Sequence, residues 1–174
     1  MKIRQGFVSN SSSSSFLISF EKLPDDLPDF QKQLFGQDDI VPYDYYYDGD
    51  DRIATSTATR MIMDDLAKPS SHVTKDNVEK FFEHGNFFDS IGGQPDYKEF
   101  AWPRKKGDAY PQYDFDALHK AQVAWGKKQA KKYLAEHKGK KHFILRYGDD
   151  MRCTAVIERG GFLEKLGAIR SDDH

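Results

Sequence analysis

The stretch HFILRYGDDMRCTAVIE, residues 142–158, has the clearest strand pattern in the chain. Two short runs rich in apolar side chains, residues 142–147 and 153–158, flank the polar turn segment 148–151, a pattern that predicts a β-hairpin. An earlier run, FLISF at residues 16–20, alternates apolar side chains along one face and predicts another strand. We therefore predict an α+β fold, in which a small antiparallel sheet consists of the N-terminal strand plus the C-terminal hairpin.

Helical periodicity predicts three helices, over residues 55–67, 74–84 and 114–137. Thr55, Ser56 and Thr57 are residue types that cap the first helix, and Gly126 weakens the middle of the third, which is the longest. We expect these helices to pack on one face of the sheet.

The remaining segments predict loops. Two prolines, Pro24 and Pro28, follow the first strand, and residues 25–52 therefore predict a long surface loop. Within it, residues 37–51 hold six Asp, four Tyr and no Lys or Arg. This acidic loop has oxygen ligands for Ca²⁺ or Mg²⁺ but not the spacing of an EF-hand, so no metal site is predicted. Residues 92–113 predict a further loop, with the aromatic side chains of Tyr97, Phe100 and Trp102 as its anchors.

Length and composition predict one domain over residues 1–174, of which residues 1–15 form a Ser-rich N-terminal arm. A mass of 20.0 kDa fits a single core, and 14% aromatic residues argue against intrinsic disorder. Residues 1–4 are positively charged but no apolar segment follows them, so we expect neither a secretory signal nor a membrane anchor. A single cysteine, Cys153, fits a reducing compartment, and we expect the cytoplasm of a bacterial cell.

No sequence motif assigns an enzyme class or a cofactor. The chain contains no P-loop, dinucleotide fingerprint or nucleophile elbow, and its six histidines lack the spacing of metal-ligand pairs. An enzyme that acts on a nucleotide or phosphate ester stays open as an alternative, to be decided by whether a pocket brings His, Asp or Arg side chains together.

The net charge of −2 conceals an uneven distribution. Residues 1–100 carry 10 Lys and Arg against 18 Asp and Glu, whereas residues 101–174 carry 16 against 10. The longest predicted helix presents lysines at helical spacing, a pattern that fits anion or nucleic-acid binding and also an ordinary solvated face. The sequence pI of about 6.3 favours the solvated face. The candidate anion-binding residues are Lys127, Lys128, Lys131 and Lys132.

The N-terminal segment Arg4-Gln5-Gly6 to Phe16, RQGFVSNSSSSSF, resembles a signature at the start of uncharacterised phage and bacterial proteins. The segment at residues 169–174, IRSDDH, is similar to an Ile-Arg-x-x-His-His ending found in some of them, except that Asp173 replaces the first His. The resemblance implies no particular activity.

From the residues themselves, serine hydroxyls and backbone N–H groups flanked by apolar side chains favour recognition of a partner over an idle linker. We therefore expect a phage-type accessory protein that acts by protein–protein interaction, directed at the host or within an assembly. The candidate partner-binding residues are Phe7, Asn10, Ser11, Ser12, Ser13 and Phe16.

Overall fold

A computed structural model describes residues 13–41, 53–87, 91–103, 110–148 and 152–173. The strands are β1 (Ser13–Phe20), β2 (His72–Val73), β3 (Lys141–Gly148) and β4 (Ile169–Asp173). The helices are α1 (Leu27–Phe35), α2 (Thr55–Ala67), α3 (Lys75–His84), α4 (Phe115–Glu136) and α5 (Arg152–Arg159). Short 3-10 turns lie at Pro69–Ser71, Tyr97–Phe100 and Glu164–Leu166.

The four strands form one antiparallel sheet in the order β2-β3-β1-β4. Strand β1 is central: Leu17 pairs with Ile144 of β3 on one side and with Ile169 of β4 on the other. The predicted α+β class, with an antiparallel sheet built from an N-terminal strand and C-terminal strands, is confirmed.

The predicted C-terminal hairpin is wrong in its second half. Residues 142–147 do form a strand, but residues 153–158 belong to helix α5, whose Val156 and Ile157 are buried in the core. One edge of β3 is instead paired with β1, along the full length of β1 from Ser13 to Phe20. A long-range pairing thus replaces the predicted local one. The last strand of the sheet along the chain is β4, which pairs with the other edge of β1.

The predicted loop at residues 25–52 contains a helix, α1. The Asp26 side chain accepts a hydrogen bond from the Asp29 N–H at 2.8 Å, which caps the helix. Pro28 lies in the first turn, where its fixed φ favours a helix and its missing N–H costs nothing. Proline therefore begins this helix rather than preventing it, and Phe30 and Leu34 are buried. Of the predicted acidic loop, residues 42–51 lie outside the described residues.

Helices cover both faces of the sheet, whereas one covered face was expected. Because side chains alternate along a strand, Phe16 and Ile18 of β1 face a cluster that includes residues of α1, α2 and α5. Leu17 faces the opposite way, into a second cluster that includes Val78 of α3 and Ala130 of α4. The central strand is consequently apolar on both sides along its middle.

The three predicted helices are confirmed, with one difference in capping. Helix α3 has a capping box between Thr74 and Asn77, and the Asp114 side chain caps α4 by accepting the Ala117 N–H at 2.9 Å. Helix α2 begins after Ala54, with no side-chain cap, because Thr55 is already its first residue. The Thr55 hydroxyl instead donates to the Asp38 carbonyl at 2.7 Å, which ties α2 to the preceding segment.

Gly126 marks the crossing of α3 and α4. A Cβ placed on this residue would lie 2.4 Å from the Phe82 carbonyl oxygen and 2.8 Å from the Glu83 Cα. Real Cβ atoms do not approach backbone so closely, so the helix backbones meet here because the residue has no side chain.

In the described part of the chain, every helix falls short of the length and apolar character needed to cross a membrane.

Candidate functional site

Of the six residues expected to bind a partner, the structure describes Ser13 and Phe16, and it contradicts the role expected of Phe16. Phe16 is fully buried in the core, so it offers no surface to a partner. Ser13 is half-buried at the start of β1, paired with Gly148 and Asp173. Phe7, Asn10, Ser11 and Ser12 lie outside the described residues, and their role stays a prediction.

The four candidate anion-binding lysines of α4 are all exposed. The Lys127 Nζ lies 3.9 Å from a Glu83 carboxylate oxygen, and the Lys132 Nζ lies 4.0 Å from one of Glu136. Exposed ion pairs of this kind contribute little to stability. The lysines therefore form a solvated helix face, half of which is balanced by carboxylates, and anion binding there stays a prediction.

Several exposed aromatic side chains lie in the segment before α4 and at the start of that helix. Trp102 is 57% exposed, Tyr110 is 81% exposed and Phe115 is 65% exposed. Ile40 is the one exposed large hydrophobic residue of the described chain that lies elsewhere. We call the aromatic residues of this segment the aromatic surface, and its members are Tyr97, Trp102, Tyr110, Tyr113 and Phe115.

The backbone beneath the aromatic surface is held by hydrogen bonds. The Trp102 N–H donates to the Gln112 carbonyl at 2.8 Å, and the Asp114 N–H donates to the Phe100 carbonyl at 2.9 Å. The ring of Tyr113 contacts those of Tyr97, at 5.1 Å between centroids, and Phe115, at 6.1 Å. The rings are thus presented from an ordered platform. The sequence identified Tyr97 and Trp102 as anchors; Tyr97 does contact another ring of the surface, whereas Trp102 is more than half exposed.

A second feature is a groove of about 620 Å³ between α3 and the sheet. We call it the sheet groove. Strand β3 contributes Ile144 and Arg146, and α3 contributes Lys80 and His84. Other residues that line the groove are Ser15, Asp65, Lys68, Ser70, Gly85 and Ser171.

The two serines at the sheet side of the groove are almost fully buried. Ser15 and Ser171 are paired neighbours on β1 and β4, and the Ser171 hydroxyl oxygen accepts the Asn86 N–H at 3.0 Å. A Cβ on Gly85 would lie 2.5 Å from that oxygen and 2.4 Å from the Phe87 ring. The absence of a side chain at position 85 lets the end of α3 approach the sheet, which shapes this end of the groove.

A hydrogen-bonded network lies at the other end of the sheet. The Ser19 Oγ is 2.6 Å from the Tyr133 hydroxyl and 2.7 Å from the His142 Nδ1. The His137 ring stacks on Tyr133 with centroids 4.1 Å apart. Burial raises the pKa of Tyr133 to about 12, so its phenol stays protonated across the neutral range. Burial also lowers the pKa of His142, and the neighbouring His137 and Lys75 lower it further.

We expect the free energy of unfolding to fall as the pH is lowered from 7.5 to 5. The unfolded chain binds a proton at His142 with the ordinary pKa of about 6.5, whereas the folded chain resists that proton. This contribution to stability is therefore fully present above the unfolded pKa of about 6.5 and is lost as the pH falls from there through the lowered pKa of the folded chain. Urea titrations at a series of pH values measure the slope.

The matched variants are His142→Gln and His119→Gln. The first should flatten the pH dependence between 7.5 and 5, and the second should retain it because His119 is exposed on α4. An unchanged slope in His142→Gln would show that other groups cause the acid sensitivity.

Comparisons with known proteins do not assign the chain to a family. No family model, curated protein or solved structure matches it. The described residues also contain no group of three or more His, Cys, Asp or Glu side chains that could hold a metal ion.

Proposed function

We propose that the chain is an accessory protein that acts by binding another protein through the aromatic surface. The observation that supports this function is the exposure of Trp102, Tyr110 and Phe115 in the segment that leads into α4. Trp and Tyr provide much of the binding energy in protein interfaces, so exposed aromatic side chains concentrated in one segment favour a binding role. The resemblance of the N-terminal segment supports the context of a phage-type protein in a bacterial cytoplasm.

Charges beside the aromatic surface favour a protein partner over a nucleic acid. The capping carboxylates of Asp96 and Asp114 adjoin it, as do Glu99 and Asp116 in the first turns that follow. Single-stranded nucleic acids also stack on aromatic rings, but their binding sites pair the rings with cationic side chains. Lys98 lies 5.7 Å from the centre of the Tyr97 ring, but its Nζ is also 4.0 Å from an Asp96 carboxylate oxygen. The four carboxylates outnumber this cation and would repel phosphate groups.

We expect Trp102→Ala to weaken partner binding by about tenfold or more, because truncation of a central aromatic residue commonly costs more than 1 kcal/mol. The experiment places a photo-crosslinking amino acid at position 115 in the full chain and irradiates it in bacterial lysate. A defined protein adduct should form there, resist nuclease and be lost when Trp102→Ala is added. The partner identified in the adduct is then purified, and its affinities for the unmodified chain and for Trp102→Ala are compared.

The control places the same crosslinker at Ala124, which is exposed on α4 away from the aromatic surface. Equal adducts at positions 115 and 124 would contradict the proposal, as would an adduct that survives Trp102→Ala. Recovery of nucleic acid that is sensitive to salt and to charge removal at Lys127, Lys128, Lys131 and Lys132 would favour the nucleic-acid alternative instead.

A further inference from the structure

The sheet groove follows an edge of β3 that is only partly paired. On that edge, β2 pairs with His142 and Phe143 and then ends. Within the described ranges, no other strand pairs with residues 144–148 on this side, although the opposite edge of β3 is fully paired with β1. Unpaired strand edges present N–H and C=O groups that accept an added strand.

Side-chain alternation places this edge inside the groove. Ile144 and Arg146 point to the groove face, as do their β1 neighbours Leu17 and Ser15. Leu145 is buried in the cluster on the opposite face, so it meets the groove through its main chain. An extended chain lying beside residues 144–148 would therefore find main-chain groups along one side and alternating apolar and cationic side chains beneath it.

The charge of the groove defines the occupant that fits it. Lys68, Lys80 and Arg146 contribute three cations, against the single carboxylate of Asp65. Asp65 is already paired with Lys68, at 2.5 Å. Lys80 and Arg146 have no ion-pair partner elsewhere in the described residues, so the cationic charge of the groove is not neutralised internally. Charge complementarity consequently selects an acidic occupant.

We propose that the sheet groove binds an extended acidic segment of a partner polypeptide, which adds to β3 as a fifth strand. The partner's backbone pairs with residues 144–148, while its alternate carboxylates face Arg146 and Lys80. The open edge of five residues is about 17 Å long, which matches a short strand. This surface is separate from the aromatic surface, so the two proposals succeed or fail independently.

The test is fluorescence anisotropy with the full chain and a fluorescein-labelled peptide, Glu-Val-Glu-Val-Glu-Val. We expect saturable binding, weakened by about tenfold or more in Arg146→Glu, because this exposed side chain would change from an attractive to a repulsive charge. The matched control is Lys128→Glu, which makes the same reversal of charge at an exposed position of α4. It should alter the affinity by less than about twofold.

Two further peptides separate strand addition from simple charge attraction. Glu-Val-Glu-Pro-Glu-Val keeps the three carboxylates but lacks a central N–H, so it should bind more weakly if the ladder forms. Lys-Val-Lys-Val-Lys-Val should not bind. Amide hydrogen exchange of residues 144–148 should slow when the acidic peptide is bound.

Several results would overturn the proposal. They are absence of binding by the acidic peptide, equal binding by the proline peptide, or equal weakening by Arg146→Glu and Lys128→Glu. If amide exchange at residues 144–148 were unchanged with the acidic peptide bound, the peptide would bind elsewhere on the protein, which would likewise contradict the proposal.

Discussion

Phe16→Ala is expected to lower the free energy of unfolding by about 3–5 kcal/mol, the typical cost of deleting a buried aromatic side chain. Phe16 has no exposed surface and lies on the central strand. Its ring lies 6.0 Å from that of Tyr147 and beneath the Arg170 guanidinium, 5.9 Å from the ring centroid. Truncation would leave a cavity where the helices of one face meet the sheet. Urea denaturation monitored by circular dichroism measures the change.

The control for Phe16 is Phe115→Ala, the same substitution on the aromatic surface. Because Phe115 is 65% exposed, we expect its loss to change stability by no more than about 0.5 kcal/mol. If Phe16→Ala were equally mild, Phe16 would not be a core residue, and the partner-contact role expected from the sequence would be restored.

Gly126→Ala is expected to destabilise the protein by about 1–3 kcal/mol, although alanine is the better helix former by about 1 kcal/mol. The added methyl group would meet the Phe82 carbonyl oxygen at 2.4 Å and force α3 and α4 apart. Backbone cannot rotate away as a flexible side chain can. The variant should lower the melting temperature by several degrees.

The matched control is Ala124→Gly, two residues away and exposed on the same helix. It should lose about 1 kcal/mol through helix propensity alone. A stabilised Gly126→Ala variant would show that the two helices do not cross as closely at residue 126 as described.

Local patterns predicted most of the helices and two of the strands. Helices α2, α3 and α4 were predicted because their apolar side chains recur at helical spacing and because Thr74 and Asp114 are strong capping residues. Helix α1 was missed because Pro28 was interpreted as a stop, although proline is also favoured in a first turn.

Long-range features could not be predicted in the same way. The two runs of residues 142–158 resemble a hairpin locally, but β3 pairs with the distant strand β1, and the second run forms a helix that buries Val156 and Ile157 in the core. The exposure of Trp102 depends on the path of the chain and not on its residue type. The sheet groove brings together Lys68, Lys80 and Arg146, which no local spacing relates.

The central position of β1 has a consequence for synthesis of the protein on the ribosome. Ser14 of this early strand contacts Glu158 and Asp172, 144 and 158 positions later. At typical elongation rates of about 5–20 residues per second, β1 leaves the ribosome roughly 8–30 seconds before β4. During that interval an apolar strand with two unpaired edges is exposed to other nascent chains. Translation speed and chaperone supply should therefore affect the yield of this protein more than its final stability would suggest.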